Sequence, residues 1–109
     1  MAVRPEFDDM LLSRARLGIL SALANGDELD FVYLRNALQL TDGNLGAQIR
    51  NLEEAGHIKV RKRFVDRKPR TLCRITPKGR EALYRLLKHL EGLFKNQQSP
   101  GGFSDRKEE

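Results

Sequence analysis

Residues 41–58 read TDGNLGAQIRNLEEAGHI, and residues 59–70 follow at once as KVRKRFVDRKPR. In the first half, Leu45, Ile49 and Leu52 recur at the spacing of one buried helical stripe. Thr41 is placed to cap that helix, Leu40 to pack onto Leu45 as a hydrophobic staple, and Gly56 to end it. After Gly56 the period drops to two. Ile58 and Val60 alternate with Lys59 and Arg61, while Thr71, Cys73 and Ile75 alternate with Arg70, Leu72 and Arg74. Asp66, Arg67, Lys68 and Pro69 lie between the two runs as a turn, so the segment reads as a helix feeding a β-hairpin.

The hairpin concentrates the charge of the chain. Between Lys59 and Arg74 there are eight basic residues and one acidic residue, Asp66, a local balance of +7 in a chain whose net charge is +5. Everything else therefore sums to −2. Charge gathered in this way marks a site for a polyanion rather than a general means of solubility. A membrane surface is the poorer match, because a membrane-lying helix sets basic residues beside an apolar helical face, whereas these alternate along strands. No apolar run approaches the ~20 residues needed to cross a bilayer.

At 109 residues, 39% of them hydrophobic, the chain has material for one domain and one modest core. A separate sensing domain does not fit. The single cysteine, Cys73, leaves no internal disulfide framework; with no apolar stretch of the signal-peptide kind, it points to a reducing cytoplasm.

Working outward from the opening stretch, residues 1–9 read as an N-terminal arm in which Pro5 discourages a helix. From Met10, Leu12, Ala15, Ile19 and Leu23 recur at helical spacing until Asn25-Gly26 supplies a stop, predicting a first helix of about four turns. Glu28-Leu29 is a candidate short strand. Asp30 is placed to cap a short second helix with Phe31, Leu34 and Leu38 on one face, and about three residues connect it to the third. Thr76-Pro77 opens a last helix running to about Asn96, with Ala82, Leu83, Leu86, Leu87, Leu90, Leu93 and Phe94 along an apolar stripe. Residues 97–109 contain Ser99-Pro100-Gly101-Gly102, have little to bury and read as a disordered tail.

Two pieces, LTDGNLGAQIRNLEEAGHIKV and CRITPKGREAL, resemble in order and spacing the winged helix-turn-helix transcriptional regulators of the MarR- and PadR-like group of small bacterial and archaeal DNA-binding proteins. The fold so implied is α+β and mainly helical: a three-helix core, a β-hairpin wing and a long C-terminal helix, spanning residues 10–96. The resemblance implies double-stranded DNA as partner, with the third helix in the major groove and the wing on the minor groove or its phosphates. It also implies a repressor more often than an activator.

On the third helix, wheel projection turns Gly43, Ala47, Arg50 and Asn51 away from the apolar stripe, with Asn44 flanking, Gln48 nearer the core edge and Thr41 at the start. Amides and a guanidinium can bond base edges or phosphates, whereas the small residues read little. Glu53 and Glu54 would repel phosphates, so the N-terminal half of the helix is the half that would approach DNA. On the wing, Arg67 and Lys68 take the tip, flanked by Arg61, Lys62, Arg63 and Arg70. The plain alternatives are a solvated helix face and a charged strand edge that deters aggregation. An excess of +7 is more than such protection needs.

The stripe on the last helix spans roughly 140°, against the ~100° that covers one domain. Part of it is therefore expected to pack on a second copy of the chain, through Leu11, Leu12, Leu83, Leu86, Leu87, Leu90, Leu93 and Phe94. No catalytic constellation, metal site or cofactor is expected: His57, His89 and Cys73 have no partners at ligand spacing, and Cys73 falls on the apolar face of its strand. Any small-molecule effector is left undefined, its only room being the seam between helices. The sequence-specific homodimeric regulator is thus the leading expectation. A protein-interaction winged helix and a non-specific architectural DNA binder are the alternatives.

Overall fold

The computed structural model describes residues 9–97. Its elements are a 3₁₀ turn (Asp9–Leu12), α1 (Arg14–Leu23), β1 (Leu29–Asp30), α2 (Phe31–Leu38), α3 (Asp42–Glu54), β2 (Ile58–Val65), β3 (Lys68–Ile75) and α4 (Pro77–Gln97). The three strands form one antiparallel sheet in the order β1-β3-β2. This is the winged-helix arrangement. The arm at 1–9 and the tail at 97–109 lie outside the described residues, except that Asp9 opens the 3₁₀ turn and Gln97 closes α4.

Each helix begins where a side chain can accept an otherwise unpaired N–H. Ser13, Asp30 and Thr41 sit in extended backbone and accept from Arg16, Tyr33 and Asn44, respectively. The cap at Ser13 divides what the sequence suggested as one helix of four turns into a 3₁₀ turn and a ten-residue α1. β1 falls one residue later than expected, because Asp30 ends the strand and caps α2 at once. α3 ends in a double closure: Gly56, at φ +81°, donates to the Glu53 carbonyl, and His57 donates to that of Leu52. The left-handed residue is glycine, so the closure carries no Cβ penalty.

The hairpin turn is tighter than the four residues read from sequence. Asp66 and Arg67 alone form it, at φ +52° and +68°, the two left-handed positions of a type I′ turn. Lys68 pairs with Val65, and Pro69 with Phe64 inside the strand. Both strands run eight residues, yet burial stops early: Ile58, Cys73 and Ile75 are buried, Val60 is half-buried, and every residue from Arg61 to Arg70 is exposed. The distal hairpin thus projects from the domain with no helix beneath it.

The core joins Ile19, Leu20 and Leu23 of α1 to Leu34, to the α3 stripe Leu45, Ile49 and Leu52, and to the root of the sheet. Two residues expected at an interface between copies belong to it instead. Leu11 is 0% and Leu86 2% exposed, closed off by the 3₁₀ turn folding back on α1 and by the inward side of α4, so neither offers surface to a partner. Leu83 is partly buried against the same core.

The first turn of α4 is pressed against the α3–β2 corner. Thr76 donates from Oγ1 to the Gly56 carbonyl at 2.6 Å and accepts from the Gly79 N–H at 2.9 Å, while its own N–H donates to the His57 carbonyl at 3.0 Å. A Cβ on Gly79 would lie 2.1 Å from the His57 carbonyl oxygen. Gly79→Ala should therefore destabilise the protein by about 1–3 kcal/mol in urea unfolding, because backbone must shift to admit it. Gly43 lies in a helix with nothing within 4 Å of the corresponding position, and Gly43→Ala should stabilise by roughly 0.5–1 kcal/mol. Equal effects of the two substitutions would contradict the close approach.

Burial pushes the Cys73 thiol up to about 11, with the Glu53, Asp30 and Glu28 charges adding to the effect. A raised folded-state value favours folding below the unfolded value near 9 and loses that contribution as pH rises through the folded one. Stability should accordingly fall between pH 9 and 11, with a part of the slope that disappears in Cys73→Ala. Native protein should also leave a thiol reagent unreacted at neutral pH until unfolded; rapid native labelling would show the thiol to be accessible.

Candidate nucleic-acid interface

On α3 Gly43, Asn44, Arg50 and Asn51 are exposed, as are the acidic residues Asp42, Glu53 and Glu54, with Ala47 and Gln48 half-buried and Leu45, Ile49 and Leu52 buried beneath. Thr41 is exposed, its hydroxyl committed to the Asn44 N–H at 3.1 Å. Gln48 is held on both sides. Its Oε1 accepts from Arg16 Nη1 at 2.9 Å, and its amide donates to Asn44 Oδ1 at 3.2 Å. Its role is thus to orient Asn44 and tie α3 to α1, which the projection onto a helical wheel did not reveal. Arg50 lies back over Gly46, where a Cβ would meet Nη1 at 3.6 Å.

At the start of α3, Asp42 pairs with Arg35 Nη1 at 2.8 Å across the connection from α2, which partly offsets its negative charge at the N-terminal approach. That connection turns through Gln39 at φ +56°, whose N–H closes onto the Arg35 and Asn36 carbonyls. The other acidic residues of the helix, Glu53 and Glu54, are exposed at its far end. The N-terminal half therefore carries the Asn44 and Gln48 amides with little opposing charge, while Arg50 and Asn51 lie in the second half, ahead of Glu53 and Glu54.

The register of the sheet sorts the hairpin into two faces. Ile58, Val60, Lys62 and Phe64 share one with Ile75, Cys73, Thr71 and Pro69; Lys59, Arg61, Arg63 and Val65 share the other with Arg74, Leu72, Arg70 and Lys68. Leu29 pairs with Cys73, so its neighbours Glu28 and Asp30 fall on the second, basic face. There they meet two of the expected DNA-binding arginines. Arg61 grips Glu28 with two bonds, 2.5 Å from Nε and 2.8 Å from Nη2, and Arg70 Nη1 reaches Asp30 Oδ2 at 2.5 Å.

Arg61 and Arg70 are thus braces of the wing root rather than unengaged cations. The Arg61 guanidinium holds the Glu28 carboxyl below the usual range. Asp30 is lowered first by the Tyr33 backbone N–H that it caps and then by Arg70. One carboxylate therefore both starts α2 and anchors the wing. The braces exist above the ordinary carboxylate range and are lost as pH falls through the depressed values. Sequence reasoning missed them, although the alternation Glu28-Leu29-Asp30 carried the signal: if Leu29 faces inward, both acids face the arginines.

Among the described residues, Lys62, Arg63, Arg67 and Lys68 make no ion pair, and all four are exposed at the projecting end. Arg67 occupies a left-handed backbone position that favours glycine or asparagine, at a cost of about 1 kcal/mol. A cation kept at the tip despite strain points to use there.

A cleft of about 320 Å³ opens between α1 and α4, lined by Leu17, Ser21, Ala24, Leu83, Leu86, Leu87 and Leu90. Beyond it Leu87, Leu90, Leu93 and Phe94 remain exposed along α4, as does Leu12 ahead of α1. Among the described residues, no helix is long and apolar enough to cross a membrane.

The arrangement can be set beside known proteins. Residues 15–94 match the family described as a winged helix DNA-binding domain. An uncharacterized protein of Methanocaldococcus jannaschii is 36% identical over 84 residues, 77% of this chain and 91% of that one. A solved transcriptional regulator homologue from Pyrococcus horikoshii OT3 is also 36% identical, with a TM-score of 0.75 over 82% of this chain and 88% of its own. S. aureus MepR, solved as a DNA complex, shares the fold at a TM-score of 0.69 and 20% identity, over 82% of this chain and 76% of that one. With its helix order, projecting hairpin and matched span in agreement, this chain belongs to the family of winged-helix DNA-binding domains.

Proposed function

We propose that the protein is a homodimeric, sequence-specific DNA-binding repressor of transcription whose residues 10–96 form both the DNA-binding and the dimerising unit. The observation that carries this reading is the pairing of an exposed amide-and-arginine face on α3 with a projecting hairpin whose four outer cations have no internal partner. α3 enters the major groove with its N-terminal half leading; Asn44 there, and Arg50 and Asn51 further along the helix, choose the bases. The wing lies on the flanking minor groove and supplies most of the affinity through phosphates. Arg61 and Arg70 act by holding the wing at its angle, and Gln48 by holding Asn44. A role in transcriptional regulation is supported by the relative named as a transcriptional regulator homologue, and repression is what the family resemblance implies.

The dimer is argued from what α4 leaves uncovered. Leu83, Leu87, Leu90 and Phe94 follow one another at spacings of four, three and four, the seam that helices bury against each other. Phe94 is 63% and Leu90 49% exposed in the single chain, whereas Leu86 already fills the core. Leu12, Leu87, Leu90, Leu93 and Phe94 thus form the interface, with Leu83 at its border. The cleft between α1 and α4 adjoins that seam and is the place where an effector would act on dimer geometry.

Titrating a labelled duplex over a range of salt tests the grip. Arg67→Gly should relieve the left-handed strain and raise stability by about 1 kcal/mol, yet weaken binding to all sequences and lower the salt slope by about 1. Unchanged affinity and slope would remove the wing from the interface. Asn44→Ala should shift base preference, at about 1–3 kcal/mol for a lost bidentate contact, with the salt slope retained. For the dimer, Leu90→Glu should give a folded monomer in sedimentation equilibrium; a dimer that survives the charge would place the interface elsewhere.

A further inference from the structure

The hairpin tip carries apolar side chains that neither the core nor the charge accounts for, Phe64 the most exposed of them and Val65 beside it less so. Phe64 is 73% exposed and pairs across the strands with Pro69, which is also exposed. Both lie on the face that, nearer the root, packs into the domain through Ile58 and Cys73. Past the last supporting helix that face carries the polar pair of Lys62 and Thr71 and then ends in a ring and a proline, both exposed. Single exposed apolar residues are ordinary on protein surfaces. This one stands within a few residues of Lys62, Arg63, Arg67 and Lys68, which make its surroundings the most cationic part of the molecule.

We propose that Phe64, backed by Pro69, is an apolar wedge that enters the DNA minor groove beside the wing cations and partly unstacks a base step. The cations bring phosphate walls to both sides of the tip, so the occupant that matches the surrounding charge is duplex DNA rather than an apolar protein surface. Entry of a ring between base pairs is least costly at flexible pyrimidine–purine steps, which gives the wing a preference for deformable sequence without hydrogen bonds to bases. The type I′ turn keeps the strands closely paired up to Val65 and Lys68, so the ring rides on a stiff support. This inference rests on the DNA-binding reading above and adds to it a contact that does not depend on charge.

The test uses the full chain and a fluorescein-labelled duplex pool of mixed sequence. Phe64→Ala should weaken binding roughly ten-fold, in line with loss of one base–aromatic contact, with the salt slope and melting temperature unchanged. The chain has no tryptophan, so Phe64→Trp introduces a single emitter at the tip, and its fluorescence should be quenched when the duplex binds. Wild-type affinity in Phe64→Ala, a loss accompanied by a reduced salt slope, or unchanged tryptophan emission in the complex would each overturn the wedge. If the wild-type protein itself fails to bind the duplex at low salt, the DNA-binding reading falls and takes the wedge with it. Binding that ignores Phe64 removes the wedge alone.

Discussion

The rest of the molecule hangs on the contact between Thr76 and the α3–β2 corner. One hydroxyl donates to the Gly56 carbonyl, accepts from Gly79 and so joins the end of α3 to the start of α4. The Thr76 N–H on the His57 carbonyl adds the roots of β2 and β3 to the same point. Only glycine at 79 lets the two backbones come this close. The consequence is geometric: the direction of α3, the root of the wing and the direction of α4 are fixed together. The start of α4 is thus tied to both α3 and the hairpin by a few hydrogen bonds.

Charge is arranged around this frame in two grades. At the wing root, Glu28 and Asp30 hold Arg61 and Arg70, converting cations into structural ties. At the distal end, Lys62, Arg63, Arg67 and Lys68 project without such ties. The excess of +7 read along the hairpin is therefore not spread evenly over a binding surface. Its inner part is paired with carboxylates, and its outer part is left open to solvent. α3, with small residues at 43, 46 and 47, complements this with close approach and few side chains able to read bases.

Much of the fold was legible in the sequence because each element states its own period and its own ends. Thr41 and Gly56 bound α3 as expected, Asp30 starts α2, and Thr76-Pro77 starts α4. What was not legible depended on events between elements. Ser13 could not be told from an ordinary helical position until Leu11 was seen to close the core. Leu11 and Leu86 lie on the same apolar stripes as residues that stay exposed, and spacing alone does not say which side of a wide stripe the core takes. Arg61 and Arg70 looked like Lys62 and Arg63 because the acids that hold them come from a strand thirty to forty residues away in the chain. Pro69 suggests a turn of four residues where the structure has two. In the structure it sits in β3 beyond the reach of β1, which pairs only with Leu72 and Cys73, so no third strand covers that end of the hairpin.

The central claim is that two copies, joined along α4, present two α3 helices and two wings to one duplex. Repeated selection of bound sequences from a random duplex pool tests it most directly. The account predicts enrichment of a pseudo-palindrome with half-sites about one helical turn apart, some 10 base pairs, flanked by deformable steps where the wings lie. Enrichment of a single unpaired half-site, or no enrichment at all despite binding, would contradict it.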